Sequence, residues 1–386
     1  MLPRSAVYFE LQADYIRRSA QAIVSSPGDP CDQINGSNGL DSTVYRLENK
    51  YHLEIIRHCS VFYQNIYFDE DTDEASWKDT TGINDTILDL GNITHIKGDL
   101  YLSPNNLPFK YITAKNLVQI DGQLSVDTMS SLVEIDMPAL RSVGQYSSGY
   151  NHRSLEFGKL PNLERVQFDP AGISVAFANN GSQDRAVWIA WTGLQKIDFL
   201  RSGGISNDYQ TTTLDALQVL NNPQLRQIDL PELTGSLGFL NIGNNSADLT
   251  VTMAKLETAR DVIINNIREL NLPELRTTQS LEISNNTLAA INLGKLGTVG
   301  ETLSIWDNPL LTTLSLSNLA MLGHMYLDKH VYGGNLTIDS NPNLRHIDLD
   351  ALAMVGESIR IVGPFDRYIM PTTFSKCIQL SSLPTK

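Results

Sequence analysis

Residues 304–319 read S-I-W-D-N-P-L-L-T-T-L-S-L-S-N-L, and the same phrase returns as Q-V-L-N-N-P-Q-L-R-Q-I-D-L-P-E-L at 218–233 and T-I-D-S-N-P-N-L-R-H-I-D-L-D-A-L at 337–352. The fixed letters are aliphatics and one asparagine; the letters between them drift. Within the phrase an alternating pair (Leu303, Ile305) leads to an Asp-Asn-Pro turn. An L-x-x-I-x-L stretch follows (Leu311, Leu314, Leu316), then a further L-x-x-L (Leu319, Leu322). Alternation with period two marks half-buried strands, and helical spacing never persists beyond a turn or so.

Working outward, the L-x-x-I/V motif places Leu132, Leu163, Leu194 and Leu225 in one column, 31 residues apart, with Ile135, Val166, Ile197 and Ile228 keeping step. Beyond residue 230 the step shortens to about 21–23 residues. A leucine-rich repeat with one strand and one helix shows a single alternating pair per unit. Two or three pairs per unit point instead to an all-β parallel β-solenoid. One turn of it cannot bury its aliphatics alone. Stacking a second about 4.8 Å away covers some six side chains, worth roughly 1.5–3 kcal/mol each before entropy. The asparagine recurs at Asn222, Asn245, Asn286, Asn308 and Asn341. Its carboxamide both donates and accepts, so stacked copies are expected to form a ladder.

Composition bounds the function. The 386 residues include 41% hydrophobic residues, enough for a core, with no apolar run long enough to cross a bilayer as a helix. A net charge of -14 disfavours phosphate backbones. Three cysteines without C-x-x-C spacing argue against structural zinc and leave one bridge and one thiol as the simplest arithmetic. No cofactor is expected. The seven histidines are dispersed; His324 and His330, six residues apart, and the acidic run Asp69–Glu74 read as solvated loops. Trp188 and Trp306 each neighbour an inward aliphatic and are expected to point outward. No nucleophile elbow, phosphate-binding loop or dinucleotide fingerprint occurs. At the N-terminus, Glu10 and Asp14 interrupt any signal-like apolar core, and no hydrophobic tail closes the sequence.

Seven N-x-S/T sequons stand at Asn35, Asn84, Asn92, Asn180, Asn244, Asn285 and Asn335. In the L-x-x-I-x-L strand the residue between its last two aliphatics faces outward. Read down the repeats this gives Asp136, Gln167, Asp198, Asp229, Thr250, Asn271, Asn292, Ser315 and Asp348. No sequon interrupts these strands, so the row is a candidate face for hydrogen bonding to a polysaccharide or a protein partner.

The repeated N-P-x-L-x-x-I-D-L-P-x-L phrase, L-P-N-L-E-R-V at 160–166, V-G-P-F-D at 362–366, the two cysteines before the first repeat and F-S-K-C after the last form an ordered set. In these the chain resembles the fungal GPI-anchored cell-wall-organisation proteins, which include the sporulation-specific wall proteins, from about Cys31 to Cys377. The resemblance implies a right-handed solenoid of leucine-rich-repeat-like, receptor-L-domain type, capped at both ends. It also implies a non-enzymatic extracellular glycoprotein at the cell wall or outer plasma-membrane surface that supports wall organisation. Wall polysaccharide or surface proteins would be its partners, and membrane contact would come only through a lipid anchor not encoded in this chain. The expected organisation is an N-terminal extension (1–30), an N-terminal cap (31–84), the solenoid (85–362) and a C-terminal cap and tail (363–386). Cys31 and Cys59 both precede the first repeat and, in a secreted protein, are expected to pair, leaving Cys377 free or bridged to another chain. Two other functions compete. A pectinase-like β-helix enzyme would need clustered outward aspartates, and no N-T-D, D-D or G-H-G phrase of that kind occurs; a receptor-like ectodomain would need a membrane span to follow it.

Overall fold

The repeat becomes a stack of strands in a computed structural model of the protein, which describes residues 44–68, 77, 86–105, 107–144, 153–175, 186–201, 213–325, 331–365, 367–369 and 378–381. In the decisive stretch Leu303 and Ile305 are fully buried, whereas Thr302, Ser304 and Trp306 are partly exposed. Leu281, Leu303 and Leu336 sit opposite one another on adjacent strands, and so do Ile283, Ile305 and Ile338. The aliphatics are fixed because each lies on the same letter of the next repeat.

One strand from each repeat joins a long sheet whose order follows the sequence. It starts at Val44–Arg46 and Asn65–Phe68, passes through Leu124–Asp127, Ala186–Thr192 and Leu256–Asn265, and ends at Ser358–Val362 and Ile378–Ser381. Neighbours along it pair parallel throughout. The L-x-x-I-x-L strands form three separate four-stranded sheets: Ile87–Asp89 to Arg165–Gln167, Lys196–Ile197 to Glu269–Asn271, and Ala290–Asn292 to Arg367–Ile369. A six-stranded third face runs from Val61–Phe62 to Leu200–Arg201. Parallel neighbours need a crossover, and here the rest of the repeat supplies it. A single hydrophobic cluster runs from Leu47 to Ile361 and draws buried residues from all three sets of strands.

The change in repeat length has a structural origin. Up to Leu200–Arg201 the third-face strand is separate, and in the 31-residue repeats a connection lies between it and the next long-sheet strand. From Gly235–Gly243 to Thr298–Trp306 the two run together as strands of eight to ten residues, with register irregularities at Gly235/Ser236 and Thr278/Ser280 where they join; beyond it they part again, as Met321–Leu322 and Asn335–Asp339. Three segments per unit thus become two. Among the described residues the buried aromatics (Phe62, Phe68, Trp77, Phe109, Phe157, Phe168 and Phe199) all precede residue 200, among the repeats that keep three faces.

Parallel pairing extends past residues 85–362 at both ends. Val44–Arg46 already pairs with Asn65–Phe68, and beyond Val362 the strands Arg367–Ile369 and Ile378–Ser381 still find partners. Their own alternation, as in Ile66 and Phe68 buried beside half-exposed Asn65 and Tyr67, makes them compatible with the stack. The helix of the described residues, α1 (Lys50–Arg57), takes the place where its repeat would supply an L-x-x-I-x-L strand. Asn49 caps it by accepting from the His52 N–H (3.1 Å), and Leu53 and Ile56 turn inward. A helix satisfies its own backbone, so it covers the neighbouring strand without needing a ladder partner. Arg57 ties it to Asp89 on that strand (3.0 Å).

Candidate functional site

Where each long-sheet strand ends, two consecutive residues turn the chain. The first adopts a left-handed conformation: Asn221, Asn244, Asn266, Asn285, Asp307 and Ser340 all have φ between 52° and 58°. Asparagine and aspartate tolerate this region best among non-glycine residues, whereas most side chains pay about 1–2 kcal/mol. In five of these six turns the second residue is the recurrent asparagine, and it is buried.

Asn308 illustrates what that burial requires. Its Nδ2 donates to the carbonyl of Ile283 (3.0 Å) and to Asn341 Oδ1 (3.2 Å), while its Oδ1 accepts from Asn286 Nδ2 (3.0 Å) and from the Asn286 backbone N–H (3.2 Å). Asn222 addresses Asn245 in the same way, through Nδ2 and the backbone N–H, both at 3.0 Å. Thr192 begins this row, donating through N–H (2.9 Å) and Oγ1 (2.7 Å) to Asn222 Oδ1. Between Asn245 and Asn286 the position is Ile267, whose backbone N–H alone reaches Asn286 Oδ1 (3.0 Å). The asparagines therefore fall into two runs, one ended by a threonine and the two divided by an isoleucine.

The outward row on the second face is less uniform than its letters suggest. Its register requires one correction. Ile228 pairs with Val251, so Thr252 follows Asp229 in the row, and Thr250 stands two residues earlier, opposite Gln227 and Glu269. The row is also interrupted, because strand pairing lapses between Gln167 and Asp198 and between Asn271 and Asn292. At the first break a depression of about 610 Å³ opens, lined by Glu134, Glu164, Arg165, Gln195, Lys196 and Asp198. The Lys196–Asp198 hydrogen bond there (2.9 Å) holds the ammonium above its usual pKa. Several members of the row are engaged locally. Asp136 is bonded to Lys115, Asn292 Oδ1 accepts from the Gly294 N–H (3.2 Å), and Asp348 Oδ1 accepts from the Asp350 N–H (3.3 Å). The last two close the turn leaving the strand, a local reason for Asp and Asn at this letter. Asp229, Thr252 and Asn271 sit opposite one another in one sheet, and Ser315 sits opposite Asn292 and Asp348 in another.

Asn92, Asn244 and Asn285 are exposed, the last two on the left-handed turn itself; Asn335 is half-buried, bonded to Glu357 (2.8 Å) and Ser358 (2.6 Å). Asn35, Asn84, Asn180, Cys31, Cys377, His330 and the acidic run Asp69–Glu74 lie outside the described residues. Cys59 is fully buried and disulfide-bonded. Trp188 and Trp306 are half-buried. In a secretory fungal host, Asn244 and Asn285 are expected to carry glycans. Asn244→Gln and Asn285→Gln should each remove one endoglycosidase-sensitive step on a gel, and unchanged mobility for both would count against their use.

Comparison with known proteins finds relatives of this sequence. The chain is 27% identical over 288 residues to sporulation-specific protein 2 of Saccharomyces cerevisiae, covering 74% of this chain and 50% of that protein. It is 26% identical over 286 residues to cell wall protein ecm33 of Schizosaccharomyces pombe, covering 73% and 58%. The chain is similar to fungal cell-wall proteins. A cell surface GPI-anchored protein of Arthroderma benhamiae matches at 24% over 268 residues, 68% of this chain and 64% of its own length. The chain thus spans half to just under two thirds of these wall-protein relatives. No family model matches it, and no solved structure does. No helix among the described residues is long and apolar enough to cross a membrane.

Proposed function

We propose that the protein is a non-enzymatic glycoprotein of the fungal cell wall or outer cell surface that supports wall organisation. The observation that carries this reading is similarity over about three quarters of the chain to proteins named for the cell wall and for sporulation. The fold we assign is a right-handed parallel β-solenoid of receptor-L-domain type. It is supported by strand orders that follow the sequence and by faces that each draw one strand per repeat. The partner of Cys59 in this reading is Cys31, closing an N-terminal cap; a non-reducing peptide map containing Cys59 linked to Cys377 instead would reject that pairing.

The surface for partners is the second face, with Asp229, Thr252 and Asn271 as its most regular part because they pair in one sheet. The test is rescue of a wall-defective fungal strain lacking its own relative of this protein, scored by growth on a wall-binding dye. The chain, fitted with secretion and anchoring signals, is expected to restore growth and to fractionate with the wall. Cytosolic retention of the natural gene product, or no rescue by a folded and correctly located chain, would sink the wall reading. Changing Asp229, Thr252 and Asn271 together to lysine should leave the fold intact and remove rescue. Full rescue by that variant would reduce the face to a solvated wall.

A further inference from the structure

Three consecutive repeats break the rule that asparagine, aspartate or another small polar residue occupies the left-handed turn. There the positions are Thr128 (φ 56°), Lys159 (φ 50°) and Trp191 (φ 55°). A β-branched residue and a large indole are poorly suited to this backbone, and strained positions of this kind cluster where a side chain is needed for a task. Trp191 is not folded away: it is 48% exposed. Trp188 meets it edge-on with ring centroids 5.6 Å apart, seated over Gly158, where a Cβ would come within 2.6 Å of the Trp188 ring.

These residues border a groove of about 650 Å³ running along the stack, lined by Asn105, Thr128, Ser130, Lys159, Pro161 and Trp191. Four successive repeats contribute, which spans about 14 Å at the usual strand spacing. Its chemistry is mixed. The indole and Pro161 offer apolar faces. Hydroxyls come from Thr128 and Ser130, and an ammonium from Lys159. Asn105 Oδ1 is buried without a hydrogen-bond partner among the described residues. The groove carries little net charge, because Lys159 Nζ lies 3.9 Å from Asp127 Oδ2, which also accepts from Thr128 Oγ1 (2.6 Å).

We propose that this groove binds a neutral, extended polysaccharide, with one sugar ring stacked on Trp191 and its neighbours along the strand reaching Lys159, Thr128 and Asn105. A pyranose ring presents an apolar C–H face and a rim of hydroxyls, matching an exposed indole flanked by short donors and acceptors. Internal charge compensation, with a net chain charge of -14, selects against acidic polymers. The length across four repeats suits a polymer more than a single sugar. The sequons at Asn244 and Asn285 share this edge but lie in later repeats. Asn221, which follows Trp191 in the column, is followed by Asn222-Pro223 and is no sequon. The choice of wall polymers as probes rests on the wall-protein reading.

The experiment titrates the purified chain with laminarin, chitohexaose and yeast mannan, following tryptophan fluorescence and retardation in affinity gels. At least one probe is expected to bind, and Trp191→Asn to weaken that binding at least 10-fold. Asparagine is the residue this backbone favours, so the variant should melt at the same temperature or a few degrees higher. A purely structural role for Trp191 would instead lower its melting temperature. Failure of the native chain to bind any of the three, or equal binding by Trp191→Asn, overturns the proposal. Wall location and rescue are scored independently. A chain that rescues but binds none of the probes overturns the groove alone, and one that binds through Trp191 yet stays out of the wall overturns the wall reading alone.

Discussion

Asn308→Leu is expected to destabilise the protein by about 4 kcal/mol or more, a large fraction of what holds an ordinary domain together. The leucine would fit by volume, but it removes a carboxamide whose donors and acceptor serve Ile283, Asn341 and Asn286. At a fully buried position none of these groups finds water instead. Each orphaned group costs about 1–3 kcal/mol. Asp307→Ala, one residue earlier on the exposed turn, is the control and should lose about 1–2 kcal/mol from its left-handed backbone. Chemical denaturation monitored by circular dichroism measures both. A loss below about 1 kcal/mol for Asn308→Leu would mean that the hydrogen bonds do not carry the turn. Ile267→Asn runs the argument in reverse: it should be far better tolerated than a buried Ile→Asn elsewhere, such as Ile264→Asn, because it joins the two runs.

Phe157→Ala should cost about 3–5 kcal/mol. Phe157 is fully buried, stacked on Phe168 (6.3 Å, 25°) and edge-on to Phe199 (6.2 Å, 65°), and Phe168 and Phe199 meet at 5.4 Å and 88°. The three rings come from adjoining repeats, so the cavity would open between units and weaken their contact. Phe157→Leu keeps most of the volume and should lose less than half as much. Equal denaturation midpoints for Phe157→Ala and the parent would show that these repeats close over the gap.

Much of this was legible because an inward position in a stack accepts only aliphatics. Leu303 with Ile305, and Leu314 with Leu316, announce their strands by alternation alone, and the repetition of Asn222, Asn245 and Asn308 announces a shared environment. The misplaced row member shows the limit of such reading. Thr250 and Thr252 flank Val251, both are polar and both face outward. Alternation fixes which side a residue faces, but a shift of two leaves that unchanged, so only the pairing of Ile228 with Val251 separates them. Trp191 escaped for another reason. Its column is defined by a backbone angle, not by a side-chain type, and a tryptophan standing where asparagines stand elsewhere leaves no pattern to follow. Thr192, which continues the asparagine row with a hydroxyl, and Ile267, which interrupts it, were hidden in the same way. Helix α1 spans only two turns, too short for its Leu53 and Ile56 spacing to stand out against the strand alternation around it.

The serial order of the long sheet also decides how the molecule meets a load. Its first and last strands are separated by thirteen strand spacings, about 60 Å. The backbone ladder of each strand in between joins it to the strand before and the strand after. Tension applied across the described strands is therefore carried from one ladder to the next, and a strand at either end of that sheet, paired on one side among the described residues, gives way first. Each shorter unit of about 22 residues that peels away releases roughly 75 Å of chain, while the units behind it remain folded. A polymer mesh that swells and shrinks would find in such a chain a tether that yields in steps and rewinds from whatever part is still intact.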